Sequence, residues 1–375
     1  MTATAPGALS GIRIVDFSRI LAGPYATMLL SDFGAEVTRL ERPNVGDDTR
    51  GWGPPWHEGE STYFLGLNRN KRSIAFDLTS EADRAMAHEL IAEADVVVEN
   101  FRPGTLERYG FGYEQLATDH PALVYCSVTG FGSDKGAHLP GYDLIAQATG
   151  GLMSITGHPD TGPAKVGVAM VDAITGVHAA LGIQTALIHR LRTGEGQRVE
   201  VNLLSSVLAS LTNQVSGHIL TGNVPGLMGN AHPSIAPYQP VHTADRPLAV
   251  AAANDKQFGA LCHALHRPAL IDDPRFRTNT DRSTHREALI EELEDVFRTQ
   301  GADHWFSVLV DAGVPAGPIN DIGQAIDFAE NLGLSPVVMP SDEPQGTGVA
   351  QVRNPIRLSR TPATYRTNPP KLPTR

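Results

Sequence analysis

The stretch Ile12-Arg13-Ile14-Val15-Asp16-Phe17 runs into Ser18-Arg19-Ile20-Leu21 and then Ala22-Gly23-Pro24. The short Ile- and Val-rich run reads as a strand. Pro24 suits the first turn of a helix, where its missing N–H has no helical partner to lose. That helix runs to about Phe33, and Gly34 stops it. The pattern then repeats. Glu36–Leu40 and Ser73–Phe76 read as strands. Thr79 or Ser80 caps a second helix, with Glu81 and Asp83 in its first turn. It ends near Ala94. Val96-Val97-Val98 reads as a strand buried on both faces, and Leu123–Val128 as one more. Strands separated by crossover helices predict an α/β fold with a Rossmann-like, doubly wound parallel sheet.

Further along, Asp172 to Arg192 reads as a long apolar helix closed by Thr193-Gly194-Glu195-Gly196. Val199–Val201 reads as a strand and Leu203–Thr221 as a helix. Composition shifts at Gly222–Pro240, rich in Gly, Pro, Asn and His, which marks a linker or an active-site loop. A second unit opens with a strand at Leu248–Ala252. It continues with helices at Asp255–Leu265, Ser283–Thr299 and Ala302–Ala312. From about Asp321 the chain runs back through a helix and Gln351–Leu358 to an extended, proline-bearing tail, Thr361–Arg375. The expected organisation is a large domain over residues 1–222, completed by 322–375. Residues 223–321 form the linker and a smaller α/β domain.

The 375 residues carry 30 Lys and Arg against 41 Asp and Glu, a formal charge of −11. Nucleic-acid binding is disfavoured, because phosphate backbones are held by excess Lys and Arg. The two cysteines, Cys126 and Cys262, lie in unrelated segments with no CxxC spacing, so neither a disulfide framework nor a structural zinc site is expected. Residues 1–11 lack a basic and an apolar signal region, and no uncharged apolar run reaches the roughly 20 residues of a membrane span. The expectation is a cytoplasmic protein with no membrane partner.

The turn after the first strand has no GxGxxG and no GxxxxGK[ST], which disfavours a dinucleotide or P-loop enzyme. No GxSxG elbow is present. His263 and His266 lack a carboxylate or third ligand at a recognised spacing, so no metal site is expected. The arginines say more. Arg42, Arg72, Arg102 and Arg108 fall near strand ends or just after them, where parallel sheets bind ligands. Arg holds phosphate through bidentate, charge-assisted bonds; ordinary surface ion pairing is the alternative. Asp172 stands in Val166-Gly167-Val168-Ala169-Met170-Val171-Asp172-Ala173, a lone acid in an apolar run where a long helix begins. It fits an N-cap, worth about 1 kcal/mol. It equally fits a carboxylate nucleophile, because a helix N-terminus favours the ionised form that attacks.

Several stretches are familiar together. They are Val15-Asp16-Phe17, Ala22-Gly23-Pro24, Gly34-Ala35-Glu36-Val37 through Glu41-Arg42-Pro43, Asn70-Lys71-Arg72-Ser73-Ile74, Val98-Glu99-Asn100-Phe101-Arg102-Pro103-Gly104 and Thr193-Gly194-Glu195-Gly196-Gln197. In this order they resemble the family III CoA-transferases, the group of formyl-CoA transferase and the carnitine CoA-transferases, over nearly the whole chain. The resemblance implies that Asp172 is the catalytic aspartate. CoA would move from an acyl-CoA donor to a carboxylic acid through an aspartyl-CoA thioester. It implies CoA as substrate, with no permanently bound cofactor. It places Leu21, Arg42, Phe76, Thr79, Asn100, Phe101, Arg102, Arg108 and Tyr142 at CoA-contact positions, with the arginines suited to the phosphates. It also implies an interlocked homodimer.

Two departures bear on the chemistry. The glycine-rich loop that formyl-CoA transferase holds over its aspartate is unmatched; Ala251-Ala252-Ala253-Asn254-Asp255 stands near its place, so the acyl group is not expected to be formyl. The α-methylacyl-CoA racemases, the rival reading, share the fold but use a His in the Gly-x-Asp run. Here that run is Gly141-Tyr142-Asp143, and Tyr, with a reference pKa of about 10, is a poor base near neutrality. Gly229–Tyr238, with His232, and Gly313–Asn320 are similar to the succinyl-CoA-dependent dicarboxylate branch, as in succinate–hydroxymethylglutarate CoA-transferase. They imply succinyl-CoA as donor and a dicarboxylic acid as acceptor. His232 is a candidate for the distal carboxylate or for structuring its own loop.

Overall fold

The structure, a computed structural model, describes residues 6–342, 344 and 347–374. The start of the stretch 1–11 and the last residue of the tail lie outside them. The larger of two compact units comprises residues up to Leu152, Lys165–Val224 and Ser335 onward. Its centre is a six-stranded parallel sheet: β1 (Arg13–Asp16), β2 (Glu36–Glu41), β3 (Lys71–Ala75), β4 (Val96–Glu99), β5 (Val124–Thr129) and β6 (Arg198–Asn202). The spatial order is β3-β2-β1-β4-β5-β6. The chain therefore enters mid-sheet, builds out through β2 and β3, and crosses back to build the other half. In register, Ile14 lies beside Val37 on one side and Val96 on the other.

Strand alternation explains why the sheet is covered on both faces. Val96 and Val98 join Ile14, Val124 and Cys126 on one face, packed with Leu30, Ala179 and Ile183. Val97 faces the opposite way with Val15 and Leu40, packed with Ile91 and Leu106. Four helices matter for the site: α1 (Ala22–Asp32), α2 (Glu81–Ala92), α3 (Asp143–Thr149) and α4 (Met170–Thr193). By length and composition the 24-residue α4 would suffice to cross a membrane. Its Ala179, Ile183 and Leu187 instead lie in the core of the sheet's first face.

Several expected elements differ in detail. The anticipated Leu203–Thr221 helix is two, Leu203–Ser210 and Thr212–Thr221, separated where Thr212 takes a φ of 36°. Ser80, not Thr79, caps α2, accepting from the Asp83 N–H. Helix α3 was not anticipated; at seven residues it is too short for its apolar period to show. Within the returning segment Gln351–Leu358, only Gln351–Val352 is a strand. The returning segment docks through polar groups. The Arg69 guanidinium grips the buried Asp32 carboxylate with two bonds, at 2.8 and 2.6 Å, and Asn354 donates to the same carboxylate at 3.0 Å. Asn70 Oδ1 accepts from the N–H groups of Arg366 and Thr367.

The smaller unit comprises Met153–Ala164 and Pro225–Leu334. Strands β7 (Tyr238–Val241), β8 (Leu248–Ala251) and β9 (Ala316–Pro318) form an antiparallel sheet in the order β7-β8-β9. Leu248 and Val250 share a core with Phe258, Leu261, Leu293, Phe297 and Leu309. Both boundaries depart from the expected 223–321. The Ile322–Asn331 helix belongs here, its Phe328 set against Phe306 with ring centroids 6.2 Å apart. Met153–Ala164 joins too, with the Gly229 N–H donating to the Gly157 carbonyl at 2.9 Å. The large unit thus resumes at Ser335 rather than at 322.

Candidate active site

Strand order reverses between β1 and β4, and open α/β sheets bind ligands at such a switch point. Asn100, just after β4, joins the two loops. Its Oδ1 accepts from the Arg19 N–H at 2.8 Å and its Nδ2 donates to the Arg19 carbonyl at 2.7 Å. The next residue, Ile20, has a φ of 68°, a region β-branched residues rarely enter. The Ile20 N–H donates to the buried Asp47 carboxylate at 2.9 Å, which also receives the Arg39 guanidinium. At the other end of the turn, Lys71 Nζ donates to the Pro24 carbonyl at 2.7 Å and to Asn68 at 3.0 Å. Burial pulls the Lys71 ammonium down to about 7, although Asp16 opposes the shift. Gly23 must be glycine for this turn to close, because a Cβ there would lie 2.3 Å from the Ser18 side chain.

Helix α4 brings Asp172 to this turn. A Cβ on Gly176 would lie 2.7 Å from the Ala22 carbonyl oxygen, so only bare backbone allows α4 this near to the start of α1. Asp172 precedes Gly176 by one turn and so lies on the same face of α4. The N-cap alternative for Asp172 does not hold. The helix starts at Met170, the N-cap position is Ala169, and Asp172 is inside the first turn. Asp143 caps the helix from α3 instead. Its Oδ1 accepts from the N–H groups of Val171 at 2.8 Å and Asp172 at 3.2 Å. Its Oδ2 accepts from Gln147 Nε2 at 2.5 Å. The Asp172 carboxyl is therefore not used as a cap.

The helix-terminus argument also meets a stronger opponent. Burial, and then the neighbouring Asp143 charge, push the Asp172 carboxyl up to about 7. Tyr63 feels the same environment, raised to about 12 by burial and then by Asp172 and Asp143. A cleft carboxyl titrating near neutrality has the character of a functional group.

Two cavities meet at Asp172. One, of about 320 Å³, is lined by the Arg19–Ala22 turn, Asn100–Pro103, Gly130–Gly132 and Tyr142. The other, of about 720 Å³, is lined by Tyr25, Trp52, Tyr63, Tyr142, Asp143, Lys165 and Val168 among others. Of the expected CoA positions, Leu21, Asn100, Phe101, Arg102 and Tyr142 line the first cavity with Asp172. Arg42, Phe76 and Phe101 line a third, of about 330 Å³, which also shares Arg19 with the first. Phe76 is at the same time core, edge-on to Phe17 at 5.5 Å. Thr79 and Arg108 line none of the three. Thr79 Oγ1 donates to Asp77 at 2.7 Å, and Arg108 is exposed in a 3-10 turn at Glu107–Tyr109. Arg19 was missed, although it follows β1 as closely as the chosen arginines follow their strands. Its guanidinium lies 4.5 Å from the Phe101 ring centroid. Asn254, in the stretch that replaces the glycine-rich loop, caps the Asp255–Ala264 helix by accepting from the Gln257 N–H.

The sequence model of CoA-transferase family III matches residues 9–374. The chain belongs to CoA-transferase family III. It is 43% identical to the succinate–glutarate CoA-transferase of Agrobacterium fabrum, across 97% of this chain and 92% of that protein. It is 42% identical to the succinyl-CoA:glutarate CoA-transferase of Mus musculus, across 97% of this chain and 84% of that protein. A crystal structure of a CAIB/BAIF family protein from Brucella suis matches it with a TM-score of 0.87 at 41% identity, covering 98% of this chain and 97% of that one. The family III chain is thus an enzyme of the CoA-transferase class, with the expected mixed α/β fold. The racemase alternative is not favoured, since these named relatives are transferases.

Proposed function

We propose that the protein transfers CoA from succinyl-CoA to a dicarboxylic acid, with Asp172 as the nucleophile. The observation that carries this reading is the position of Asp172 where two unlike cavities meet. The first offers Arg19 and Arg102 to a phosphate-bearing substrate, and the second offers aromatic walls to the acyl group and the acids. The Asp172 carboxylate attacks the thioester carbonyl, forming an aspartyl–acyl anhydride and expelling CoA thiolate. The thiolate attacks the aspartyl carbonyl, releasing the donor acid as its carboxylate and leaving aspartyl-CoA. The acceptor carboxylate attacks that thioester, giving a second anhydride and thiolate. Attack of this thiolate on the acceptor's acyl carbonyl yields the new acyl-CoA and free Asp172. No net proton or electron changes hands, and each covalent step is easier than direct exchange. The first N–H groups of α1 lack intrahelical acceptors. Leu21 and Ala22 line the cleft, so these amides are the oxyanion donors of this reading.

The same reading makes the enzyme an interlocked homodimer. Val177, Leu181, Ile188 and Leu191 of α4 are exposed at spacings of one or two turns, Leu191 by 79%, and such a stripe is a surface that a second copy would bury. It also places the enzyme in the cytoplasm, consistent with two free, buried cysteines. Incubation with succinyl-CoA followed by hydroxylamine or borohydride should mark Asp172. A donor–acceptor matrix read by mass spectrometry should show succinyl-CoA and short dicarboxylates as the preferred pair. An unmarked Asp172 across a broad acyl-CoA panel, or exchange of the α-proton of an α-methylacyl-CoA in deuterated water without any acceptor, would defeat the reading.

A further inference from the structure

The larger cavity at Asp172 has one basic side chain among its lining residues, Lys165. Its other walls include Tyr25, Trp52 and Tyr63, together with the carboxyls of Asp143 and Asp172. A dicarboxylate entering this space brings a second negative charge that does not react. Against aromatic walls and two acids, that charge is strongly disfavoured unless a cation meets it. We propose that Lys165 binds the non-reacting carboxylate of both the leaving and the entering acid, and so makes the site selective for dicarboxylates. This rests on the reading of Asp172 given above.

The backbone beside Lys165 is fixed relative to the nucleophile. The Val166 N–H donates to Gln147 Oε1 at 2.9 Å. Gln147 is fully buried, and its Nε2 donates to Asp143, which accepts from the Asp172 N–H. A continuous hydrogen-bonded chain therefore runs from the root of Lys165 to the first turn of α4. The Lys165 side chain itself is exposed, and its Nζ donates to the Val166 carbonyl at 3.1 Å. An ammonium has three donors, so a carboxylate can be received without breaking that bond. A compact charge on a flexible stem also suits acids of differing length better than a rigid guanidinium fork does. His232 is committed to its own loop. Its N–H donates to the Tyr238 carbonyl at 3.0 Å, and its Nδ1 accepts from the Ser234 N–H at 3.1 Å.

The test compares wild type, Lys165→Met and Lys165→Arg, using succinyl-CoA against butanoyl-CoA as donors and glutarate against pentanoate as acceptors. Lys165→Met should lower kcat/KM for succinyl-CoA and for glutarate by roughly ten- to a hundredfold, the loss of one charged hydrogen bond. Rates with butanoyl-CoA and pentanoate should fall far less, so that the dicarboxylate preference is lost. Lys165→Arg should keep the dicarboxylate preference over a narrower range of acid lengths. A dicarboxylate preference retained in Lys165→Met overturns this inference while leaving the transferase reading intact, as does equal loss for all four substrates. Wild-type protein that transfers no acyl group overturns the transferase reading and this inference with it.

Discussion

Asp143 Oδ1 lies 3.2 Å from the backbone nitrogen of Asp172 and accepts its N–H, while also accepting from Val171 at 2.8 Å. One carboxylate thus positions the helix turn that carries Asp172, the proposed nucleophile, and, by its charge, helps to hold the Asp172 proton. Attack requires ionised Asp172, so thiolate release should rise with pH through about 7. In Asp143→Asn an oxygen remains to accept from the turn, but one of the two causes of the raised pKa is removed. The midpoint should move to lower pH, yet stay above an ordinary carboxylate because burial persists. Rapid-mixing measurement of thiolate release against pH checks this; an unmoved midpoint would sink the electrostatic account.

Stability should show the cost of keeping that carboxyl buried. The folded pKa of Asp172 lies above its unfolded value, so the folded state binds the proton more tightly. Stability is then lost as pH rises from the unfolded value, about 3.9, towards the folded value, and the loss is complete above it. Asp172→Asn, which should abolish transfer, should be more stable than wild type at pH 8 by about 1–3 kcal/mol, with the difference vanishing near pH 4. Urea unfolding at the two pH values decides this. A constant difference would show that packing, not ionisation, sets it.

The approach of α4 to α1 rests on Gly176, where a Cβ would lie 2.7 Å from the Ala22 carbonyl oxygen and 3.1 Å from Tyr25. A carbonyl on the first turn of α1 cannot swing aside as a side-chain end can. Gly176→Val should therefore cost about 1–3 kcal/mol of stability and on the order of 100-fold in rate by displacing Asp172 from the Leu21 turn. Gly217→Ala is the matched control. It sits in a helix with nothing within 4 Å of its added Cβ, and should be neutral or stabilising by up to about 1 kcal/mol. Thermal melts and steady-state rates read both. Full activity in Gly176→Val would show that the close approach does not matter.

The parts of this arrangement that were legible in the sequence are local ones. Val96-Val97-Val98 declares a strand covered on both faces, and the alternation of strands with helices declares the parallel sheet. The lone Asp172 in its apolar run stands out for the same reason. What escaped depends on groups distant in the chain. Asp143 caps a helix 29 residues away, so the acid that looked like its own cap was free for chemistry. Arg19 is placed by Asn100, 81 residues on. The boundary at Ser335 depends on packing between Phe306 and Phe328, which no local composition signals.

The arginines expected to hold phosphate are not equivalent. Arg42 is paired with Asp48, both about two-fifths exposed, and donates to the Gly46 carbonyl at 3.3 Å. A phosphate reaching Arg42 must displace one anion by another, for little net gain at an exposed pair. Arg102 is exposed on the rim of the first cavity, and its guanidinium has no hydrogen bond or ion pair among the described residues. Arg102→Ala should therefore raise KM for acyl-CoA by roughly tenfold, the loss of one charge-assisted contact, and leave kcat nearly unchanged. Arg42→Ala should raise KM by less. Added salt should weaken binding by wild type more than by Arg102→Ala, because an exposed charge is screened. Steady-state kinetics at two ionic strengths measure all of this. A larger KM effect in Arg42→Ala than in Arg102→Ala would move the CoA phosphates from the first cavity to the third.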